Sequence, residues 1–98
     1  MIYIASPYSH PDKYIREHRY VLVLTYTHLC MKQDEIVFSP IAYGHEFMRF
    51  GEEYMPSDRL RVFKIEGWDK SVGVREEIQF AEHLNIPVEY ANAYGMLE

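Results

Sequence analysis

Two adjacent carboxylates, Glu76 and Glu77, follow a serine–glycine turn in the stretch Gly67-Trp68-Asp69-Lys70-Ser71-Val72-Gly73-Val74-Arg75. At about 100° per residue, Val74, Ile78, Ala81 and Leu84 make one apolar arc, and Glu77 falls inside it. Glu76 falls on the opposite side with Gln79 and His83. One acid is therefore solvated, and its neighbour is aimed at whatever the arc covers. A carboxylate turned towards a core is costly unless it is paired or used. The other readings of Glu77 are a marginal position from which it reaches water, or an ion pair with a buried arginine. Ser71 is a good N-cap, because its hydroxyl can accept from the free N–H groups two or three residues on. Gly73 keeps the first turn bare, so a ligand can approach the backbone at the positive end of the helix. Asp69, beside this turn, either shapes the loop or contacts a ligand.

These residues must be positioned by the elements around them. The turn and helix lie between two apolar runs, residues 60–65 and 86–90, which gives strand, loop, helix, strand. Upstream, residues 1–5 (MIYIA) form another short run of strand formers. Ser6-Pro7-Tyr8-Ser9-His10-Pro11-Asp12 follows as a loop. Ligands of open α/β sheets sit at the carboxyl ends of strands, which is where this reading puts Ser6 and Ser9. Asp12 caps a long helix running to about Gln33. Its first apolar face is Ile15, Leu22, Tyr26 and Leu29, with Arg19 beside it. Tyr20, Leu24 and Met31 make a second stripe, which suggests a partner and favours a homodimer. Residues 36–38 read as strand two, and His45 follows as a candidate contact to a sugar or phosphate. Residues 48–58 return the chain to strand three, where Arg59, Arg61 and Lys64 among the apolar residues suggest an edge strand or one partly exposed face. Residues 91–98 read as a short tail docked through Tyr94 and Met96. The expected fold is α/β: a Rossmann-like or flavodoxin-like open parallel sheet of about four to five strands with flanking helices.

Composition narrows the function. A chain of 98 residues with 48% hydrophobic and 15% aromatic content fits one globular domain, residues 1–98. A net charge of −5 argues against duplex binding through a basic surface. Local positive groups suffice for one phosphorylated small molecule. The single cysteine, Cys30, rules out a disulfide framework within one chain and reads as a small buried residue. His10, His18, His28, His45 and His83 have no ligand-like spacing, so neither a metal nor a cofactor is expected. No signal peptide or membrane-spanning run is evident, which makes a cytoplasmic protein the default expectation.

Taken in order, IYIASPYS, IREHRY, FSPIAYGHEF and GWDKSVGVREEIQFAEHLNIPV resemble the nucleoside 2-deoxyribosyltransferase-like superfamily. Among its members the chain is most similar to small phage and bacterial ones, and nucleotide N-glycosidases belong to the same superfamily. The resemblance covers most of the chain. It implies that Glu77, followed four residues on by Ala81, is the nucleophile that attacks the anomeric carbon. It implies that Tyr3 positions that nucleophile or the sugar. Ser71 and Gly73 match the phosphate- or hydroxyl-binding turn, and Ser6, Ser9 and Arg19 match positions near the 5′ end of the ligand. Asp58 is the nearest match to an acid that protonates or holds the leaving base, with Asp69 a second option. Members are usually homodimers. The implied substrate is a nucleoside 5′-monophosphate, with no nucleic-acid polymer or membrane as partner. One departure stands out: Met55-Pro56-Ser57-Asp58 runs directly into Arg59-Leu60, where relatives carry a further aromatic-containing stretch and helix. That shortening makes nucleotide binding without turnover the alternative.

Overall fold

The computed structural model describes residues 1–43 and 58–98. The four strands β1 (Ile2–Ala5), β2 (Val37–Phe38), β3 (Arg59–Phe63) and β4 (Val88–Ala91) form one sheet in the order β2-β1-β3-β4, all parallel. The helices are α1 (Lys13–Lys32), the one-turn α2 (Pro40–Tyr43) and α3 (Val72–His83), with a short 3-10 turn, Trp68–Lys70, before α3. The expected α/β open sheet with flanking helices is therefore the observed fold. Among the described residues no helix is long and apolar enough to cross a membrane. His45 and the return segment before Asp58 lie outside the described residues.

Strand alternation splits the core into two layers. Ile2, Ile4 and Phe63 face α1 and pack with Val23, Tyr26 and Cys30. Tyr3, Ala5, Leu60 and Val62 face the other way and pack with Val74 and Ala81 of α3. Burial on both faces explains why β1 and the end of β3 are continuous apolar runs. Asp12 caps α1 as its position predicts, its Oδ1 accepting from the Tyr14 N–H at 2.9 Å. Tyr26 stacks on Phe63 at 4.3 Å between ring centres, which locks α1 to β3.

Three expectations are corrected. The core face of α1 is Val23, Tyr26, Thr27 and Cys30, while Leu29 is 41% exposed. The helix is turned by about one residue from the expected phase, because apolar side chains occur on most of its sides. The tail does not dock through Tyr94 and Met96, which are 88% and 64% exposed. It docks through its backbone: Ala91 bridges Leu97, the Glu98 N–H donates to the Tyr90 carbonyl at 2.9 Å, and Lys64 Nζ binds Glu98 at 2.7 Å. Gly95, at φ +85°, lets this loop lie against the Tyr26 ring.

The third correction concerns β3, which is an interior strand between β1 and β4. Arg61 is only 2% exposed. Its Nη1 and Nη2 donate to Glu35 at 3.0 and 2.7 Å, and its Nε donates to Glu89 at 2.8 Å. Nη1 also reaches Tyr26 Oη at 3.2 Å and Cys30 Sγ at 3.7 Å. A buried charge survives only when paired and hydrogen-bonded in this way. The bonds from Arg61 hold the Glu35 carboxyl below the usual carboxylate range. Burial pushes the Tyr26 hydroxyl up to about 12 and raises the Cys30 thiol.

Candidate functional site

The carboxyl edge of the sheet is built from two strand exits. After β1 the chain passes Ser6, which is 6% exposed, and then Ser9 and His10. Among the described residues, Ser6 Oγ is the buried side-chain polar atom without a hydrogen-bond partner. After β3, Ile65 and Glu66 lead to Gly67, whose φ of +91° is the left-handed conformation glycine adopts most easily. The Trp68 N–H donates to the Ile65 carbonyl at 3.1 Å and the Ser71 N–H to the Trp68 carbonyl at 3.3 Å, winding the 3-10 turn. Ser71 then caps α3 as its position predicts, with Oγ accepting from the Val74 N–H at 3.2 Å.

Arg19 crosses from α1 to this edge. Its Nη1 donates to the Ser9 carbonyl at 2.8 Å and, at the limit of 3.5 Å, to that of Tyr8. Its Nη2 lies against Gly67, where an added Cβ would run into it. Between these groups is a cleft of about 600 Å³, lined among others by Ser9, Arg19, Asp69 and Ser71. Four residues singled out in the sequence therefore meet around one opening. Its wall includes residues that the sequence reading did not name as site residues: the apolar Ile15, Leu22 and Ile65, and the polar His10, Glu66 and Lys70. The signal for Gly67 was available, since a glycine just after an apolar strand and before an aromatic residue marks a sharp exit turn. The grouping of Ile15 and Leu22 beside Arg19 was legible, but their meeting with Ile65 was not, because it requires knowing how α1 lies against the exit of β3.

The other predicted residues lie elsewhere. Tyr3 is buried on the α3 side of the sheet, in the layer that also holds Val74 and Ala81, with Ile78 packed against it. Glu77 lies three residues after Val74 and four before Ala81 on the same helix. It is half-buried, whereas Glu76 is exposed. The asymmetry expected from helical phase is present, and neither Tyr3 nor Glu77 lines the cleft beside Arg19. Ser71 is six residues before Glu77, about 9 Å along the helix axis. Gly73 is exposed in the first turn of α3. Asp69 belongs to the 3-10 turn, and its carbonyl accepts from Arg75 Nε at 3.0 Å, so its backbone helps shape the loop.

Asp58 is not brought to this edge. It precedes β3, in register with Met1, at the amino end of the sheet. Its exposed carboxylate faces the Met1 ammonium at 3.5 Å and Arg59 Nε at 4.0 Å. Five strand steps, roughly 16 Å, separate that level from the level of Ser6. An acid placed ahead of a parallel strand emerges at the edge opposite the strand exits, which is the physical reason it misses the site. Among the described residues, no three His, Cys, Asp or Glu side chains cluster closely enough to hold a metal ion. No family model matches the chain, and no curated protein matches it.

Proposed function

We propose that the protein is a nucleoside 5′-monophosphate N-glycosidase, or a 2-deoxyribosyltransferase-like enzyme, that breaks the base–sugar bond with Glu77 as nucleophile. The supporting observation is the half-buried Glu77 beside the exposed Glu76, on the helix face whose layer holds Tyr3. The motif resemblance to the nucleoside 2-deoxyribosyltransferase-like superfamily gives that carboxylate its role. The glycosidic C–N bond breaks through an oxocarbenium-like state, which a fixed negative charge stabilises. The bond's electron pair leaves with the base, which takes up a proton. A Glu77 oxygen bonds to the anomeric carbon, giving a glycosyl ester. Water then releases the sugar phosphate and regenerates the carboxylate, or a second base takes the sugar by transfer. Tyr3 orients the carboxylate or the sugar in this reading. Ser71 and Gly73, at the positive end of α3, receive the phosphate or a hydroxyl. The unpartnered Ser6 hydroxyl offers one more bond at the end of β1.

The position of Asp58 at the opposite edge favours a second reading. The protein would then bind a nucleotide or a nucleotide-derived signal in the same place without turning it over. One experiment separates the two. The protein is incubated with a panel of ribo- and deoxynucleoside monophosphates, including modified pyrimidines, and free base is sought by chromatography. Release that disappears in Glu77→Ala supports the enzyme. Thermal stabilisation by a nucleotide without release supports the binder. Release that persists unchanged in Glu77→Ala removes Glu77 from the mechanism.

A further inference from the structure

The chain holds one tryptophan, Trp68, and a run of contacts joins it to the tail. Trp68 opens the 3-10 turn that leads to Ser71, the N-cap of α3. Its ring meets the Tyr90 ring edge-on, at 5.8 Å between centres and 64° between planes. Lys64 Nζ lies 5.3 Å from the centre of the Trp68 ring and 5.9 Å from that of Tyr90. An ammonium is drawn to aromatic faces over that range. Glu98 holds the same ammonium with both carboxylate oxygens, at 2.7 and 3.0 Å.

Register explains how Glu98 arrives there. β4 is an outer strand of the sheet. The tail returns antiparallel along its open side, through the Ala91–Leu97 bridge and the bond from the Glu98 N–H to the Tyr90 carbonyl. That bridge sets Glu98 directly opposite Tyr90, and directly opposed residues share one face of a sheet. Tyr90 packs on the α3 side, so the Glu98 side chain emerges on that side too. The turn that sends the chain back is closely determined. Asn92 Oδ1 accepts from the N–H groups of Tyr94 and Met96, both at 3.0 Å, and the Gly95 N–H donates to the Asn92 carbonyl at 2.8 Å. Lys13 and Glu17, by contrast, are neighbours on α1, largely exposed and 4.0 Å apart. The Lys64–Glu98 pair joins positions 34 apart across β4. It is still partly open to water, with Glu98 43% exposed. Ion pairs of that kind are weak and sensitive to salt, so this one is a catch that can open.

We propose that residues 92–98 form a strap whose Glu98–Lys64 pair sets the start of α3, with both residues acting through Trp68 as positioning residues for Ser71 and the helix that carries Glu77. Closed, the pair keeps the ammonium over the two rings and the Trp68–Lys70 turn wound, so the Ser71 hydroxyl stays on the Val74 N–H. Open, the Trp68 ring gains water and the first turn of α3 frays. The strap thus ties the outer edge of the sheet to the candidate site. Its effect on turnover rests on the reading of Glu77 as nucleophile, and its effect on the turn does not.

The test uses the full chain and four variants: Lys64→Met, Glu98→Gln, the two combined, and Lys64→Arg. The readouts are acrylamide quenching of Trp68 fluorescence and amide hydrogen exchange. In each single variant that breaks the pair, Trp68 should become more open to acrylamide. The Val74 and Arg75 amides should exchange about two- to fivefold faster, the range an exposed ion pair supports, while the amides of β1 and β3 keep the parent's rates. The combined variant should go no further than the larger single effect, because the two side chains act as one. Lys64→Arg keeps a cation over the rings and within reach of Glu98, and should stay near the parent. The proposal is overturned if the Val74 and Arg75 amides keep the parent's rates in both single variants, or if the two single effects add in the combined one. It is also overturned if the β1 and β3 amides speed up by the same factor, which is a loss of general stability alone. Neither readout uses a substrate, so a parent that releases no base overturns the enzymatic reading and leaves this test standing. Where the parent does release base, Lys64→Met and Glu98→Gln should lower kcat and Lys64→Arg should not. An unchanged kcat in both overturns the strap's part in turnover.

Discussion

Gly67 and Gly73 belong to one loop and one helix start, but steric demand separates them. Gly67 is left-handed and has the Arg19 guanidinium against it, whereas among the described residues a Cβ on Gly73 would meet only Ser71 Oγ, at 3.9 Å. Gly73→Ala should keep or slightly raise the melting temperature, because alanine is the better helix residue by roughly 0.5–1 kcal/mol. If the bare turn serves a ligand, the same change should lower nucleotide affinity or base release, and thermal melts beside the chromatographic assay would show both effects. Gly67→Ala should instead lose about 1–2 kcal/mol through its backbone conformation and displace Arg19. Arg61 makes the opposite case for what a sequence hides. Its stretch RLRVFK reads as an edge strand or one partly exposed face because the partners of Arg61, Glu35 and Glu89, are 26 and 28 positions away. The network they form has a signed pH dependence. Glu35 has a lowered pKa, so its contribution is present above the ordinary carboxylate value and is lost as acid protonates it in the folded state. Tyr26 has a raised pKa, so its contribution is full below 10 and is lost as pH rises towards about 12. Tyr26→Phe should remove that alkaline loss from a denaturation series at pH 9–12, flattening the curve there relative to the parent.

At the level of elements, the local signals and the phase of α3 were legible, and the phase of α1 was not. Asp12 and Ser71 cap α1 and α3 where the sequence places them, because a cap is written within three residues. Ser71→Ala should cost about 1 kcal/mol in chemical denaturation, and Ser71→Asp should recover most of it by keeping an acceptor. The face of α1 was harder to read: Leu22, Val23, Tyr26, Leu29 and Cys30 offer several apolar stripes, and only the sheet decides between them. The outward stripe of Tyr20, Leu24 and Met31 is exposed as expected. If it joins two copies, Leu24→Glu should convert a dimer to a monomer in analytical ultracentrifugation without changing the circular dichroism spectrum. The placement of Asp58 at the amino edge follows from its position ahead of a parallel strand, so the expected parallel sheet already set it apart from the strand exits.

Across the whole molecule, alternation of strands and helices was enough to imply a parallel sheet, and its order adds what local patterns omit. The α1 layer and the α3 layer are separate packing units on one sheet. The candidate carboxylate belongs to one and the Arg19 cleft to the other, with the Ser71 turn joining them. The backbone-docked tail closes the β4 side, and Lys64 links its last residue to the exit of β3. Removing residues 92–98 should therefore lower the melting temperature and bare the Tyr26 ring. The buried position of Cys30 has a practical corollary. Its thiol is hidden under α1, touches Arg61 and is held protonated by burial. A thiol-directed reagent can reach it only when α1 lifts from the sheet, so the labelling rate becomes a clock for that opening. Loss of the tail or of Arg61 should make the clock run faster, while ligands that clamp α1 to the Gly67 loop should slow it.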